Sequence, residues 1–194
     1  GADPRPLEVP GEKKLIGKGV SYCAICDGPV YKGEKVVVAG GGDAGFESAL
    51  FLSQYAEQVT ILEYSSEVNA SKPNQRKIEN KKSVEVITNV KLKEIKGEEL
   101  VESVVYEDRE TEQQQELDTK AIFIEVGRQP ATAFVNDLVE FNEKDEIVVD
   151  RDTGATKTEG LFAAGDVTNV KFKQIVIAAG QGSKAALGVH QYLT

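Results

Sequence analysis

Residues 35–63, KVVVAGGGDAGFESALFLSQYAEQVTILE, contain the pattern that decides the fold. The run KVVVAG at the start and the run EQVTILE at the end are each typical of a strand that is buried on both faces of a sheet. Between the two runs, apolar and small residues recur at helical spacing from Phe46 to Ser53. The stretch therefore predicts a strand, a helix and a second strand, which together form a βαβ unit.

The turn between the first strand and the helix contains G-x-G-x-x-G at Gly40, Gly42 and Gly45. In this context the first glycine permits a tight turn, the second lets backbone N–H groups approach a pyrophosphate, and the third lets the helix pack closely on the strand. The alternative is a turn that is tight for structural reasons alone. The flanking pattern favours dinucleotide binding, with Asp43 and Ala44 as further candidate contacts in the same turn.

Glu63 ends the second strand, close to the usual distance of about twenty residues for the acid that hydrogen-bonds the ribose 2′-hydroxyl. A carboxylate there repels a 2′-phosphate, and Tyr64, Ser65 and Ser66 supply no arginine to hold one. The sequence therefore predicts NADH rather than NADPH. The alternative is that Glu63 is a solvated residue at a strand end.

Residues 83–120 contain four short, partly alternating segments, SVEVIT, VKLKEIKG, LVESVVYEDRE and QQELDTK. They predict one short strand followed by an antiparallel meander that interrupts the βαβ order. The apolar run AIFIEVG (residues 121–127) then returns to the parallel sheet. We expect a second crossover helix within residues 69–82, confined by Pro73 to the residues after it.

The chain changes character after Gly127. RQPATAFV predicts a turn, DEIVVD (residues 145–150) and GLFAAGD (residues 160–166) predict strands, and KQIVIAAGQGSKAALGVHQYL predicts a closing helix. The segment after Gly127 is too short to complete a sheet with a core of its own. We therefore expect the tail of a second domain, whose other part is absent or packs elsewhere.

Composition narrows the class of protein. The 40% hydrophobic content supports a core, and the longest apolar runs are too short to span a bilayer. A formal net charge of −9 argues against a nucleic-acid partner, because such binding depends on clustered lysine and arginine. With two cysteines and no basic-then-apolar leader, the sequence predicts a cytoplasmic protein. No methionine occurs and residue 1 is glycine, so we expect a piece of a longer protein.

Cys23 and Cys26 form a Cys-x-x-Cys pair that is followed at once by Asp27. Such a pair can cycle between dithiol and disulfide, and an adjacent acid can relay the proton. The alternatives are a zinc half-site and two inert buried thiols. Zinc needs two further ligands, and the sole histidine, His190, lies in the last helix, so no metal site is predicted.

Four motifs occur in order along the whole chain: CAICDG, GGGDAG, GRQP, and GLFAAGDV followed by KQIVIAAGQGSKAA. Together they resemble the low-molecular-weight thioredoxin reductases and the flavoprotein subunit of alkyl hydroperoxide reductase. The resemblance implies two Rossmann-like domains, an NAD(P)H domain inserted into an FAD domain. It assigns residues 1–20 to the end of the first FAD segment and a linker, 21–126 to the NAD(P)H domain, and 127–194 to the closing FAD segment.

The resemblance also implies residue roles. Cys23 and Cys26 would form the redox disulfide and Asp27 would be the proton donor. The pyridine nucleotide would lie on the glycine turn, and the implied flavin contacts are Gly165 and Asp166 at the pyrophosphate and ribityl region, with Lys173, Gln174 and Ile175 near the ring. Gly127, in the GRQP motif, is a further candidate cofactor contact.

The implied activity passes a hydride from nicotinamide to FAD, and then electrons to the disulfide and to a protein partner. That partner is thioredoxin, a glutaredoxin-like protein or a peroxiredoxin-type protein, and the family implies a homodimer.

Two features depart from the NADPH-dependent members. The basic His-Arg-Arg run is replaced by EYSSEVN, which again favours NADH, and the glycine motif that opens the FAD domain has no counterpart. We therefore expect a reductase whose isolated chain does not hold FAD alone. The alternatives are an NAD(H)-binding module without reductase activity and an interaction domain.

Overall fold

The computed structural model describes all 194 residues, which form two compact units. The sheet unit comprises Pro4–Gly127, and the tail unit comprises Gly1–Asp3 with Arg128–Thr194. The strands are β1 (Ala2–Pro4), β2 (Val20–Ser21), β3 (Lys35–Ala39), β4 (Gln58–Leu62), β5 (Val84–Ile87), β6 (Val90–Lys96), β7 (Ser103–Asp108), β8 (Gln114–Asp118), β9 (Ala121–Ile124) and β10 (Arg128–Pro130). The helices are α1 (Ala24–Asp27), α2 (Asp43–Leu52), α3 (Lys72–Glu79) and α4 (Ile175–Leu193).

The sheet unit is built on a five-stranded parallel sheet in the order β2-β9-β3-β4-β5. Alternate side chains of β3 enter two different cores. Val37 packs in the core shared with the antiparallel sheet β6-β7-β8, whereas Val36 and Val38 pack in the core shared with α2 and α3. Burial on both faces explains the uninterrupted apolar run in β3. The predicted βαβ unit and the inserted meander are both confirmed.

The second crossover helix begins two residues earlier than predicted. α3 starts at Lys72, after the N-cap Ser71, so that Pro73 lies inside its first turn. Proline is tolerated there because the first-turn N–H groups of a helix have no intrahelical acceptor. The expectation that the helix would be confined to the residues after Pro73 was wrong by two residues, Lys72 and Pro73.

The tail unit differs more from the prediction. Residues 145–150 and 160–166 form no strands, and instead make single bridges, Ile147 with Phe141 and Thr168, and Phe162 with Ala155. A strand needs a neighbour with which to build a continuous ladder, and residues 145–150 bond to residues 167–169 at only a few points. The predicted closing helix is present as α4, and residues 128–130 of the predicted turn form β10, which pairs with β1.

A buried carboxylate fixes the start of the sheet unit. Glu12 is only 1% exposed, and it accepts hydrogen bonds from the backbone N–H groups of Leu7 (2.9 Å) and Glu8 (2.7 Å) and from the Tyr22 hydroxyl (2.6 Å). Burial and the neighbouring Glu12 carboxylate raise the pKa of Tyr22, which keeps the phenol protonated as a donor. This network ties the entering chain to the residue that precedes Cys23.

None of the helices combines the length and the apolar character that a membrane span requires.

Candidate functional site

The candidate site lies along the carboxyl edge of the parallel sheet. Cys23 follows the end of β2, Gly127 follows β9, Gly40 follows β3 and Glu63 follows β4. These strands are parallel, and β9 lies between β2 and β3. Since neighbouring strands lie about 4.8 Å apart, the cysteine pair and the glycine turn start from strands that are about 10 Å apart. In open α/β sheets this edge is the usual place for a ligand.

The three glycines of the turn have different surroundings. A Cβ on Gly40, whose φ is +116°, would lie 2.6 Å from the Glu125 carbonyl oxygen, and a Cβ on Gly45 would lie 1.9 Å from the Gly40 carbonyl oxygen. A Cβ on Gly42 would meet nothing within 4 Å. Gly40 and Gly45 are therefore required by the packing of β3, β9 and α2, whereas Gly42 leaves an open approach to the backbone.

The open approach leads to the N-terminus of α2. Gly42 is the N-cap, and the first-turn N–H groups of a helix carry partial positive charge and have no intrahelical acceptor. Asp43 is held by α3, since its Oδ1 accepts from the Ser71 N–H (2.8 Å) and from the Asn74 Nδ2 (2.9 Å). Ala44 is exposed. An anion such as a pyrophosphate fits this arrangement.

Glu63 lies buried against the glycine turn. Its side chain is 9% exposed; Oε2 accepts from the Gly41 N–H (2.5 Å), and Oε1 accepts from the Ser65 N–H (2.7 Å). The alternative that Glu63 is a solvated strand-end residue was therefore wrong. A carboxylate has about four lone-pair positions, so both oxygens retain capacity for a ribose hydroxyl. Sequence reasoning missed Gly41. A Cβ at this position would lie 2.9 Å from the Glu63 Cβ, and in the sequence only the run of three glycines pointed to such a close approach.

An arginine from a distant part of the sequence lies beside this acid. The Arg109 guanidinium lies 3.8 Å from the centroid of the Tyr64 ring, and its Nη1 donates to the Tyr64 carbonyl oxygen (2.9 Å). Arg109 follows β7, and its own N–H donates to the Asn89 carbonyl oxygen (2.9 Å). Inspection of residues 64–66 could not reveal this cation, because the meander brings it there. This end of β4 therefore has a carboxylate at Glu63 and a guanidinium against the next residue, Tyr64.

The cysteine pair forms a disulfide in the structure. Cys23 and Cys26 are joined with a Cα–Cα distance of 5.3 Å, at the start of α1. The Cys26 N–H also donates to Cys23 Sγ (3.2 Å). Cys26 and Asp27 are exposed and Cys23 is partly exposed, so an external thiol has access to the bond.

Asp27 is held next to the disulfide by a serine. The Ser21 hydroxyl donates to Asp27 Oδ2 (2.6 Å), and Ser21 Oγ accepts from the Cys23 N–H (3.0 Å). Burial and then the negative charge of Asp27 raise the pKa of Tyr31. Sequence reasoning missed Ser21, because a serine two residues before a cysteine carries no distinctive pattern.

The implied flavin contacts meet around the N-terminus of α4. Gln174 is the N-cap of this helix, Ile175 is 92% exposed, and Lys173 Nζ donates to the Asp166 carbonyl oxygen (3.0 Å). Gly165 has a φ of +84°, and its N–H donates to the Gln181 Oε1 (2.9 Å).

Two ion pairs lie in the same region. Lys173 lies 2.9 Å from Glu146 Oε1, and Asp166 lies 3.9 Å from the Arg128 guanidinium. Burial disfavours the charged Glu146 carboxylate, but hydrogen bonds from Lys173 and Asn142 outweigh that effect and lower its pKa. Lys173 is therefore neutralised by protein groups.

Gly127 belongs to the sheet unit. Its φ is +109°, and its carbonyl oxygen accepts from the Arg5 N–H (3.0 Å) at the point where the chain passes into β10.

Comparison with known proteins identifies the family. The model of the pyridine nucleotide-disulphide oxidoreductase family matches residues 1–182. Over 193 residues the chain is 42% identical to the F component of alkyl hydroperoxide reductase from Staphylococcus aureus (strain NCTC 8325 / PS 47), covering 100% of this chain and 38% of that relative. The chain thus spans well under half the length of this relative.

Solved structures agree with this assignment. Thioredoxin reductase from Giardia duodenalis superposes with a TM-score of 0.94 at 37% identity, covering 100% of this chain and 63% of the other. Thioredoxin reductase from Streptococcus pyogenes MGAS5005 gives a TM-score of 0.90 at 36% identity, with 100% and 63% covered. The chain belongs to the pyridine nucleotide-disulphide oxidoreductase family.

Proposed function

We propose that this chain is the part of a pyridine-nucleotide-dependent disulfide reductase that binds NADH and carries the redox disulfide. One observation carries the proposal: the carboxyl edge of a single parallel sheet presents both an accessible disulfide and an open glycine turn above a buried carboxylate. The first feature serves thiol exchange and the second serves a dinucleotide.

The nucleotide part of the proposal rests on the fit of the residues present. The first-turn N–H groups of α2 suit the pyrophosphate, and Gly42 leaves the approach to them free of a side chain. Glu63 is placed to accept from the 2′-hydroxyl of the adenosine ribose, and its charge repels a 2′-phosphate. Arg109 keeps its positive charge, but its guanidinium is already engaged by the Tyr64 ring and the Tyr64 carbonyl oxygen. NADH is therefore the preferred cofactor.

Replacement of Gly42 with alanine tests the site directly. The added methyl group has open space in the protein, so the cost to the fold should be limited to the poorer N-cap preference of alanine, about 1 kcal/mol or less. It projects toward the approach to the α2 N-terminus, and the affinity for NADH should fall by about tenfold or more, equivalent to ~1.4 kcal/mol. Titration of the purified chain with NADH, followed by calorimetry, measures the change.

The matched control is Gly182→Ala in α4, where a Cβ also meets nothing within 4 Å, and it should leave NADH binding unchanged. Wild-type affinity of Gly42→Ala for NADH would refute this placement of the nucleotide. The same titration with NADPH should give weaker binding by the wild-type chain, and tighter NADPH binding would refute the role of Glu63.

The disulfide part of the proposal concerns Cys23, Cys26 and Asp27. When a dithiol reduces the disulfide, its thiolate attacks one sulfur, the Cys23–Cys26 bond breaks, and the released thiolate takes up a proton. The second thiolate then resolves the mixed disulfide, so that two electrons and two protons pass to the pair. Asp27 lies next to the pair and exchanges the proton, delivering it in this direction and accepting it in reverse. The acceptor in the whole protein is a protein disulfide of the thioredoxin, glutaredoxin-like or peroxiredoxin type.

The flavin part of the proposal concerns the tail unit. Gly165, Asp166, Lys173, Gln174 and Ile175 gather at the start of α4 and suit one side of a flavin nucleotide. Residues 141–168 of the tail unit build only single bridges, so a second half of a dinucleotide fold is needed to enclose the group. FAD, when bound, supplies the two-electron relay between nicotinamide and disulfide.

The isolated chain should therefore bind NADH without catalysing NADH-dependent disulfide reduction. The absorbance spectrum of the purified chain and an assay with NADH and a disulfide dye measure both points. Stoichiometric flavin together with turnover would contradict the proposal that this chain does not hold FAD by itself. A chain that binds no NADH would contradict the proposed function as a whole.

A further inference from the structure

Ser21 is a buried hydroxyl at the end of β2, two residues before the disulfide. Ser21 is 6% exposed, and its hydroxyl contacts both ends of the Cys-x-x-Cys-Asp segment. Oγ accepts from the Cys23 N–H at 3.0 Å and lies 2.6 Å from Asp27 Oδ2. A third neighbour, the Cys23 carbonyl oxygen, is 3.4 Å away.

A serine hydroxyl has one hydrogen to donate, and the distances decide where it goes. The oxygen of Asp27 is nearer than the carbonyl oxygen by 0.8 Å (3.4 Å against 2.6 Å), and a charged acceptor makes the stronger hydrogen bond. Ser21 therefore accepts from the backbone of Cys23 and donates to the carboxylate of Asp27. The result is a short bridge between the start of the disulfide loop and its acid.

Asp27 needs such support because it is exposed. An exposed carboxylate on a short helix samples several rotamers, and each departure from one rotamer moves its oxygens relative to the sulfurs. Ser21 lies on β2, which is paired in parallel with β9 in the five-stranded sheet. Its hydrogen bond to Oδ2 ties the carboxylate to this framework and leaves Oδ1 for proton exchange.

We propose that Ser21 is a positioning residue for disulfide exchange and acts through Asp27. The inference rests on the proposed function, in which Asp27 exchanges a proton with the cysteine pair. In the oxidation of the reduced chain by glutathione disulfide, the Asp27 carboxylate takes the proton of the attacking thiol. That sulfur forms a mixed disulfide and releases one glutathione thiolate. The other cysteine then closes the Cys23–Cys26 bond and releases the second glutathione, so that two electrons pass to glutathione disulfide.

The test measures the rate of this oxidation, by quenching with maleimide and determining the mass of the chain. Ser21→Ala should slow the oxidation by about tenfold, a part of the ~10²–10⁴-fold that general acid–base groups contribute. Ser21→Thr retains the hydroxyl and should restore most of the rate. A merely structural role would not predict this rescue, because threonine adds a methyl group at a buried position.

Ser103→Ala is the matched control. Ser103 is 5% exposed and its hydroxyl donates to Glu116 Oε1 at 2.5 Å, so the variant loses the same kind of buried hydrogen bond in the antiparallel sheet. It should leave the oxidation rate unchanged. Thermal unfolding of both alanine variants identifies any loss of fold.

The double variant Ser21→Ala with Asp27→Asn shows whether Ser21 acts through the acid. It should oxidise at the rate of Asp27→Asn alone, because the positioned group is already lost. An unchanged rate in Ser21→Ala, no rescue by threonine, or a further tenfold loss in the double variant would each overturn the inference. If Asp27→Asn itself reacts at the wild-type rate, the proposed role of Asp27 fails and the inference fails with it. A slow Asp27→Asn with a wild-type Ser21→Ala refutes the inference alone.

Discussion

Replacing Gly45 with alanine should destabilise the sheet unit by about 3 kcal/mol, near the upper end of the usual range for an overpacked core. The added Cβ would lie 1.9 Å from the carbonyl oxygen of Gly40 and 2.9 Å from its carbonyl carbon. Both are backbone atoms at the end of β3, so no side-chain rotation relieves the contact. α2 must move away from the sheet, and the helix carries Phe46 and Leu52 into the core.

Thermal unfolding followed by circular dichroism measures this effect. For a chain of this size, 1 kcal/mol shifts the midpoint by about 2–4 °C, so a decrease of roughly 10 °C is expected. Gly42→Ala, three residues away in the same turn, is the control; it changes only the N-cap preference and should lower the midpoint by a few degrees at most. Equal unfolding midpoints for Gly45→Ala and Gly42→Ala would show that the stability of the sheet unit does not depend on the close approach of α2 to β3.

Replacing Glu12 with alanine should have an effect of similar size. The change leaves the N–H groups of Leu7 and Glu8 and the hydroxyl of Tyr22 without their shared acceptor in a buried place. Each unsatisfied buried donor costs about 1–3 kcal/mol, and rearrangement or entry of water recovers part of the total, so the expected loss is about 3 kcal/mol. Urea unfolding of the variant gives the loss directly.

Glu98→Ala, at an exposed position, is the control for removing a carboxylate and should change stability by less than about 0.5 kcal/mol. The stability of Glu12→Gln should lie between those of Glu12→Ala and Glu98→Ala. An amide keeps one acceptor oxygen but turns an N–H group toward another donor. A stability of Glu12→Ala within error of the wild type would mean that the segment from Leu7 to Glu8 is not held by this carboxylate.

The features that the sequence predicted well are local ones. The β3–turn–α2–β4 unit follows from a continuous stretch in which apolar periodicity and glycine spacing agree, and the structure confirms it. Glu63 could be singled out because its distance from the glycine turn is set by one helix and one strand.

The features that were missed or wrong depend on distant partners. Arg109 reaches Tyr64 only because the meander folds back, and Glu12 accepts a hydrogen bond from Tyr22, ten residues further along the chain. Residues 145–150 and 160–166 have strand-like composition, but strand formation requires a neighbour that lies outside the segment itself. No window of sequence contains that information.

The unequal surroundings of the three glycines also determine how well a G-x-G-x-x-G match indicates nucleotide binding. Two of them, Gly40 and Gly45, are dictated by backbone contacts, so any chain that turns this tightly from strand to helix must keep them whether or not it binds a nucleotide. Only Gly42 is unconstrained by the protein itself. A survey that asks which relatives have kept a nucleotide should therefore score the middle glycine together with the acid at the end of the second strand, and give the outer glycines little weight.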